Sequence, residues 1–284
     1  SNKEEFLLDK ILSNSSFLEK NYDVKAGLKA YEKGKGNPKQ SAEDVKNRPY
    51  DYNYQYDERT YPYLEGKNIA RYFQTTSETW LKYGDNLAAP RTFDIFSNPR
   101  ILVREITSKY PKVLCATYID KIFLNNLSII NILSKTNNRQ ELLYLLAVLN
   151  SSLISFYFEK ITPKANRTMF PKVILQDLRK FPIYDATTEQ QTSLAQKAEE
   201  MIELNKQLHN GIDSAIELIK AEYQPKKINK NLEKFYTLGV HPFIEELEKQ
   251  KVKLSLSQKE ELIAWYKEKS EKLKHIQSEI DKLD

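Results

Sequence analysis

The hydrophobic pattern changes near residue 185, and this change most limits what the chain can fold into. After that point, apolar or small residues recur at spacings of three, four and seven, the heptad pattern of a helix packed along one face. They are Leu194, Ala198, Met201, Leu208, Ile212, Ala215 and Ile219, with Asn205 in the polar slot. A second helical pattern runs from about Ser257 to the end. With a break at residues 224–241 between them, the two patterns predict an antiparallel helical pair with coiled-coil-like packing, the alternative being a helix packed on the globular part.

The first 185 residues show a different pattern, that of a mixed α/β domain. Short apolar runs predict strands at residues 101–106, 113–119 and 122–133, the last with a break at Asn125 and Asn126. Tyr50, Tyr52, Tyr54 and Tyr56 alternate with polar residues, which predicts an extended strand over 50–56, with most of these rings packed on a half-buried sheet. Residues 60–64 are expected to turn at Pro62, and residues 140–158 to form a buried helix.

These patterns divide the chain into three predicted segments. Residues 1–23 are read as an N-terminal helix and linker, 24–185 as a globular domain with a twisted sheet, and 186–284 as a helical hairpin. The expected fold class is therefore α+β, with the sheet domain followed by the long helical pair. Cys115 is the one cysteine, which excludes an internal disulfide framework and suits a reducing, cytoplasmic environment. No apolar run reaches the roughly 18 residues expected of a membrane span, so no membrane partner is expected.

The positive charge is concentrated in one part of the globular segment. Residues 91–185 hold 14 Lys and Arg against 7 Asp and Glu, whereas residues 186–284 hold 16 against 18. Basic residues mixed with aromatic ones, and loops bearing Gly or Pro, are typical of a surface that binds a polyanion such as DNA. The candidate DNA-binding residues are Lys29, Tyr31, Lys33, Lys35, Lys39, Lys67, Arg71, Arg91, Arg100, Arg104, Lys164 and Arg167.

Catalytic motifs are poorly represented. Glu65-Gly66-Lys67 has the spacing of the last part of a PD-(D/E)xK nuclease site, in which carboxylates bind a hard cation and the lysine positions water. Asp51 or Asp57 could supply the upstream carboxylate. However, Gly66 and Pro62 are unsuitable for the strand that such a site requires, and no zinc spacing, P-loop or nucleophile elbow is present. We therefore expect no catalytic residue and no metal site in this chain.

An ordered set of motifs resembles a known family. The segments GLKAYEKGKGNPKQ at 27–40, YPYLEGKNIARY at 61–72, PRILVREI at 99–106, LLYLLAVLNSSLISFYF at 142–158 and MFPKVILQDLRKFPI at 169–183 are similar to the TaqI-like C-terminal specificity domain. This is the target recognition domain of adenine-specific DNA methyltransferases and type IIG restriction-modification enzymes. The resemblance covers residues 24–184, and the helical tail is similar to the region that follows this domain in such enzymes.

The resemblance implies that this chain recognises double-stranded DNA without catalysing a reaction. In this family a preceding domain or subunit binds S-adenosylmethionine and carries the Asn-Pro-Pro-aromatic motif for the flipped adenine. Here Asn37-Pro38-Lys39 and Asn98-Pro99-Arg100 both lack the second proline and the aromatic residue. The resemblance therefore implies a methyltransferase elsewhere, with Mg²⁺ as well if the parent enzyme also cuts DNA. It also implies that Glu65-Gly66-Lys67 is a connection that helps shape the DNA-reading surface.

Two other functions stay open at this stage. The first is a metal-dependent endonuclease that uses Asp57, Glu65 and Lys67. The second is a scaffold whose helical pair mainly binds protein. Neither accounts for the ordered family motifs as well as DNA recognition does.

Overall fold

The computed structural model describes residues 2–161 and 171–284. The chain forms two compact units, one up to Glu199 and one over Glu200–Asp284. The helices of the first unit are α1 (Asn2–Leu12), α2 (Leu18–Asn21), α3 (Ala42–Asn47), α4 (Asp94–Ser97), α5 (Arg139–Asn150), α6 (Ser152–Ile161) and α7 (Leu175–Arg179). A 3₁₀ turn spans Gly66–Asn68.

The strands, all of which lie in the first unit among the described residues, pair in four groups. They are β1 (Ser15–Phe17), β2 (Tyr22–Ala26), β3 (Asp51–Tyr52), β4 (Thr60–Leu64), β5 (Ile69–Ala70), β6 (Phe73–Gln74), β7 (Trp80–Lys82), β8 (Arg100–Arg104), β9 (Ala116–Ile119), β10 (Leu124–Asn125), β11 (Ile129–Ser134) and β12 (Pro182–Tyr184). One four-stranded sheet has the order β2-β11-β8-β9 and is antiparallel throughout. The other has the order β10-β4-β7-β3, with β10 and β4 parallel. Strands β1 and β12 form a separate pair, as do β5 and β6. The mixed α/β fold class predicted from the sequence is confirmed.

A shared hydrophobic cluster joins the two larger sheets. Leu64 from β4 and Ile69 from β5 pack against Leu102, Ile119 and Ile129 of the first sheet, and all five side chains are buried. Burying an aliphatic side chain of this size contributes about 1.5–3 kcal/mol, so this cluster is a principal reason that the sheets pack together. It also fixes the position of the chain between Leu64 and Ile69, which includes the 3₁₀ turn.

The strand expected over the tyrosine-rich segment was wrong in most of its length. The predicted strand over 50–56 is limited to Asp51–Tyr52, and Tyr54 and Tyr56 are 57% and 53% exposed. Tyr52 stacks on Tyr56 with ring centroids 4.5 Å apart, so these rings pack on one another instead of on a sheet. The alternation of tyrosines and polar residues could not reveal where the strand ends. The same alternation can occur in a strand and in a bend that follows it.

The expected turn at 60–64 is a strand. Pro62 pairs with Trp80 in the antiparallel ladder, and the next residue, Tyr63, donates its N–H to the Thr79 carbonyl at 2.9 Å. A proline fits a strand at a position where the ladder does not require its missing N–H. Its presence therefore did not mark a turn here.

The apolar stretch at 140–158 is buried but forms two helices. Helices α5 and α6 meet at Ser151, where the chain bends by 61°. The Ser151 backbone is extended, and its hydroxyl donates to the Val148 carbonyl and accepts from the Ile154 N–H. A serine with this bonding can end one helix and begin the next. In the described part of the chain no single helix could cross a membrane; this bent pair meets the length and apolarity required only when taken together.

The long helices appear where the heptad patterns predicted them. Helix α8 spans Thr188–Tyr223, α9 Lys230–Glu233, α10 Val240–Lys249 and α11 Leu256–Leu283, with a 3₁₀ turn at Phe235–Thr237. In the second unit, Gly211 of α8 lies against Leu273 of α11, and Ile219 lines a cavity with Trp265. Ile219 comes after Gly211 in α8, whereas Trp265 comes before Leu273 in α11. The two helices are therefore antiparallel, as predicted. On α11, Lys269 is partly exposed, and the neighbouring Ser270 is buried.

Arg100 is a buried cation at the start of β8. It is fully buried, and its guanidinium donates to Asn131 Oδ1 at 3.0 Å and to the carbonyls of Phe96 at 2.9 Å and Phe123 at 2.6 Å. Burial lowers the pKa of Arg100 to about 9, which still leaves it charged at neutral pH. The prediction that Arg100 contacts DNA is therefore wrong, because its donors are directed into the protein.

Replacing Arg100 tests this internal role. We expect Arg100→Met to lower the free energy of unfolding by about 3 kcal/mol or more, because several buried acceptors lose their donor. Arg100→Lys should also be destabilising, since one ammonium cannot reproduce the planar set of N–H donors. Urea denaturation followed by circular dichroism measures both effects. Unchanged stability in both variants would contradict the assignment.

Candidate nucleic-acid interface

A groove runs across the first unit where the two larger sheets meet. It consists of two adjoining depressions that share Glu65, Asn126 and Ser128, and we call it the central groove. The larger depression, about 490 Å³, is also lined by Gly66, Lys67, Arg104 and Ile106. The smaller, about 200 Å³, is also lined by Leu28, Lys29, Ala30, Tyr31, Arg48, Tyr63 and Leu127.

The floor of the groove is a turn formed by Asn126, Leu127 and Ser128. Asn126 Oδ1 accepts hydrogen bonds from the Ser128 hydroxyl and from the Ser128 N–H, the latter at 3.0 Å. The Ser128 hydroxyl also accepts from the Gly66 N–H at 2.8 Å, and the Ser128 carbonyl accepts from the Glu105 N–H at 2.9 Å. These bonds join the turn to the 3₁₀ segment and to the chain that follows β8.

The opposite side of this turn is fixed by Gly27. A Cβ built on Gly27 would lie 2.0 Å from the carbonyl oxygen of Asn126, which is too close for any side chain. The glycine therefore permits the backbone at Leu28 to approach and donate to the Asn125 carbonyl at 2.9 Å. The floor is held by backbone contacts on both sides.

One wall of the groove carries Lys67 and Arg104. The 3₁₀ turn buries Gly66 and Asn68 and leaves the Lys67 side chain 78% exposed, with Nζ 3.0 Å from Glu65 Oε2. Arg104 stands at the end of β8 and donates to the Ile106 carbonyl and the Ser108 hydroxyl, both at 2.8 Å, and to Cys115 Sγ at 3.2 Å. None of these three acceptors is a carboxylate, so they leave the Arg104 charge unneutralised at the groove.

The opposite wall carries Lys29, Tyr31 and Arg48. The Arg48 guanidinium lies 4.8 Å above the Tyr31 ring and donates to Asp51 Oδ2 at 2.6 Å. The Tyr31 hydroxyl donates to Asp51 Oδ1 at 2.9 Å, and burial, followed by the Asp51 charge, raises the Tyr31 pKa. Lys29 pairs with Glu32 at 2.7 Å. This wall is thus a braced cluster in which each of two cations, beside an aromatic ring, is paired with a carboxylate.

The structure brings four of the predicted site residues into this groove, namely Lys29, Tyr31, Lys67 and Arg104. Lys33, Lys35, Lys39 and Arg91 are exposed on neighbouring loops. The loop with the three lysines is held by Gln40, whose amide donates to the carbonyls of Ala30 and Asn86. Lys164 and Arg167 lie outside the described residues. For all of these residues, contact with DNA stays a prediction.

Arg71 lies apart from the groove and has contacts within the protein. Its guanidinium donates to the Asn150 carbonyl at 2.6 Å and to the Leu114 carbonyl at 3.3 Å. It also lies 5.8 Å from the centre of the Tyr72 ring. These contacts connect the β5–β6 hairpin to the end of α5, which is a structural role whether or not Arg71 also reaches DNA.

Sequence reasoning missed Arg48, Asn126, Leu127 and Ser128. Arg48 lies in the tyrosine-rich stretch, but its place above Tyr31 depends on a left-handed backbone at φ 50° that ends α3. The Asn-Asn pair at 125–126 was read only as a break between strands. Two asparagines between apolar strands favour a turn held by side-chain hydrogen bonds, and this was the signal available in the sequence.

The side chains of the nuclease alternative do not form one site. Asp57 is bound to Lys82 Nζ at 2.7 Å and to the Thr60 hydroxyl at 2.6 Å, and these hydrogen bonds hold its pKa at about 2. Glu65 is paired with Lys67. Within the described ranges, no group of three His, Cys, Asp or Glu side chains is arranged to hold a metal ion. The arrangement does not favour the nuclease.

Comparison with known families relates the two parts of the chain to different family models. A family model described as the TaqI-like C-terminal specificity domain matches residues 61–183, and a domain family of unknown function (DUF8810) matches residues 187–284. The resemblance found in the sequence is therefore confirmed over residues 61–183. This match supports a DNA sequence-specificity role in restriction-modification systems.

Solved structures with a similar arrangement come from restriction-modification systems. The HsdS subunit from Thermoanaerobacter tengcongensis is 11% identical with a TM-score of 0.39, the match covering 87% of this chain and 51% of that one. The type I S subunit from M. genitalium is 17% identical with a TM-score of 0.37, covering 78% and 48%. The type IIL enzyme MmeI, solved in complex with DNA, is 9% identical with a TM-score of 0.41, covering 89% and 36%. The chain thus spans about half the length of these proteins or less. No curated protein matches the sequence.

Arg71 provides a test that separates structural from binding residues. We expect Arg71→Ala to lower the free energy of unfolding by about 1–3 kcal/mol, because two carbonyls lose a charged donor. The matched change Lys67→Ala, at an exposed side chain, should stay within about 0.5 kcal/mol of the parent protein. Urea denaturation measures both, and equal effects would contradict the distinction.

Proposed function

We propose that this chain is the DNA-reading part of an adenine-specific restriction-modification methyltransferase and that the central groove faces the duplex. The observation that carries the proposal is the convergence of Lys29, Arg48, Lys67 and Arg104 on one groove, within and beside the segment that matches the specificity-domain family. Cations on both walls can contact phosphates of the two strands and set the register. The neutral residues of the floor are then placed against the base edges.

The catalytic steps belong to a partner in this proposal. A methyltransferase domain or subunit would bind S-adenosylmethionine and receive the flipped adenine, and this chain would determine which adenine is presented. The family match of the specificity domain supports this division of labour. The helical pair of α8 and α11 would contact the methyltransferase, because specificity and catalysis on separate domains require a rigid connection.

A salt series tests the DNA-binding surface. Fluorescence anisotropy with a labelled duplex should show affinity falling steeply with salt concentration. The double variant Lys67→Ala with Arg104→Ala should reduce the slope of log affinity against log salt by about 1.8, since each lost phosphate contact removes about 0.9.

Lys20→Ala is the control for this series. Lys20 is an exposed lysine of the same unit that lines a different cavity, and its removal should leave the slope nearly unchanged. A wild-type protein that fails to bind duplex at any salt concentration would overturn the proposed function. Equal slopes for the control and the double variant would show that the interface lies elsewhere.

Glu65 separates the proposed function from the nuclease alternative. Its carboxylate lies in the groove beside Lys67, where it would repel DNA phosphates. We expect Glu65→Gln to raise duplex affinity about two- to fivefold, the magnitude of one partly exposed charge interaction. Glu19→Gln, an exposed carboxylate outside the groove, should not change affinity. A nuclease would instead show Mg²⁺-dependent cutting that is lost in Glu65→Gln.

A further inference from the structure

The groove floor presents a hydrogen-bond donor next to an apolar side chain. Asn126 and Leu127 are consecutive, and Leu127 is 45% exposed although it lines the same depression as Lys29 and Arg48. An exposed leucine there contributes nothing to phosphate binding. A fixed apolar group in a DNA-reading groove can, however, contact the methyl group of thymine.

The orientation of the Asn126 amide follows from its partners. The Ser128 backbone N–H can only donate, so the atom that it meets at 3.0 Å must be the amide oxygen, Oδ1. The Ser128 hydroxyl donates to the same oxygen. The oxygen is therefore occupied, and the Asn126 Nδ2 group has no acceptor within the part of the chain that the structure describes.

This orientation restricts which base the turn can read. Reading adenine with an asparagine requires both the amide oxygen and the amide nitrogen, because adenine presents a donor and an acceptor in the major groove. Here the oxygen is occupied, and only a donor remains. Thymine presents an O4 acceptor next to its methyl group, which complements a donor next to a leucine. Guanine presents acceptors but no methyl group.

We infer that Asn126 and Leu127 determine specificity by reading the thymine of one A·T pair, with Asn126 Nδ2 donating to O4 and Leu127 packing on the methyl group. This inference rests on the proposed function, since it requires that the central groove faces DNA. The turn is suited to this role because it is fixed by the close backbone approach at Gly27, by the Glu105 N–H and by the Gly66 N–H, which donates to the Ser128 hydroxyl. A rigid reader loses little conformational entropy on binding.

The first test identifies the base preference. The 284-residue chain is mixed with duplexes that contain a randomised window, and the bound fraction is sequenced, once with thymine and once with uracil in place of thymine. The wild type should enrich an A·T pair at one position in the thymine pool and show a weaker preference there in the uracil pool, because uracil keeps the O4 acceptor and lacks the methyl group. Leu127→Ala should show the weaker preference in both pools and keep the rest of the motif.

Two further variants test the Asn126 donor and control for the loss of an exposed leucine. Asn126→Asp keeps an oxygen acceptor for Ser128 but replaces the donor, so it should reject thymine at the same position. Leu153→Ala is the matched control, because Leu153 is the same residue type, is 47% exposed, and lies on α6 outside the groove. It should keep the wild-type motif in both pools.

Binding constants on the selected motif give the magnitude. For the wild type, uracil in place of thymine at the chosen position should weaken binding about fourfold, the effect of one buried methyl group. The ratio should be near one for Leu127→Ala and remain about fourfold for Leu153→Ala. Thermal melting of each variant excludes a loss of folding as the cause.

The outcomes distinguish this inference from the function on which it rests. If the wild type binds no duplex, the proposed function fails and the inference fails with it. If it binds in a salt-dependent manner but Leu127→Ala keeps the full preference at that position, or the uracil pool shows that preference at undiminished strength, DNA binding stands and the inference is overturned.

Discussion

The contact between Gly27 and the Asn126 carbonyl determines the geometry on which the rest of the groove depends. It brings the chain that leads into the lysine-bearing loop against the turn between β10 and β11. The turn is held on its other side by Gly66 and Glu105. The two walls are therefore connected through main-chain atoms and the short Ser128 side chain, which have fewer rotatable bonds than long side chains. Side chains with mobile ends, such as Lys67, then stand on a fixed base.

Much of the architecture was predictable because it depends on local periodicity. The long helices, the strands around residues 101–104, 116–119 and 129–134, and the order of the family motifs all follow from patterns that are short in sequence. Their apolar residues form continuous buried faces in the structure. These elements would be recognisable in any protein with the same spacing, because the spacing itself selects helix or strand.

The individual arginines were less predictable, because their roles depend on distant acceptors. Arg71, Arg100 and Arg104 each neighbour an apolar stretch in the sequence and look alike there. Arg100 is buried by acceptors at Phe96, Phe123 and Asn131, whereas Arg104 reaches the groove. Only the three-dimensional arrangement of carbonyl groups separates a structural arginine from one available to a ligand. The left-handed residue Arg48 escaped notice for the same reason.

The floor of the groove is held largely by the backbone, whereas its walls consist of side chains. This arrangement affects how such a protein can change the DNA sequence that it recognises. Substitutions at Leu127 or at the exposed lysines alter surface chemistry while leaving the main-chain contacts beneath them intact. A side chain at Gly27 would displace the whole platform, because its Cβ would lie 2.0 Å from the Asn126 carbonyl oxygen. New preferences can therefore arise by single exchanges at the outermost positions, and a lineage of such proteins could diversify its recognition without passing through unfolded intermediates.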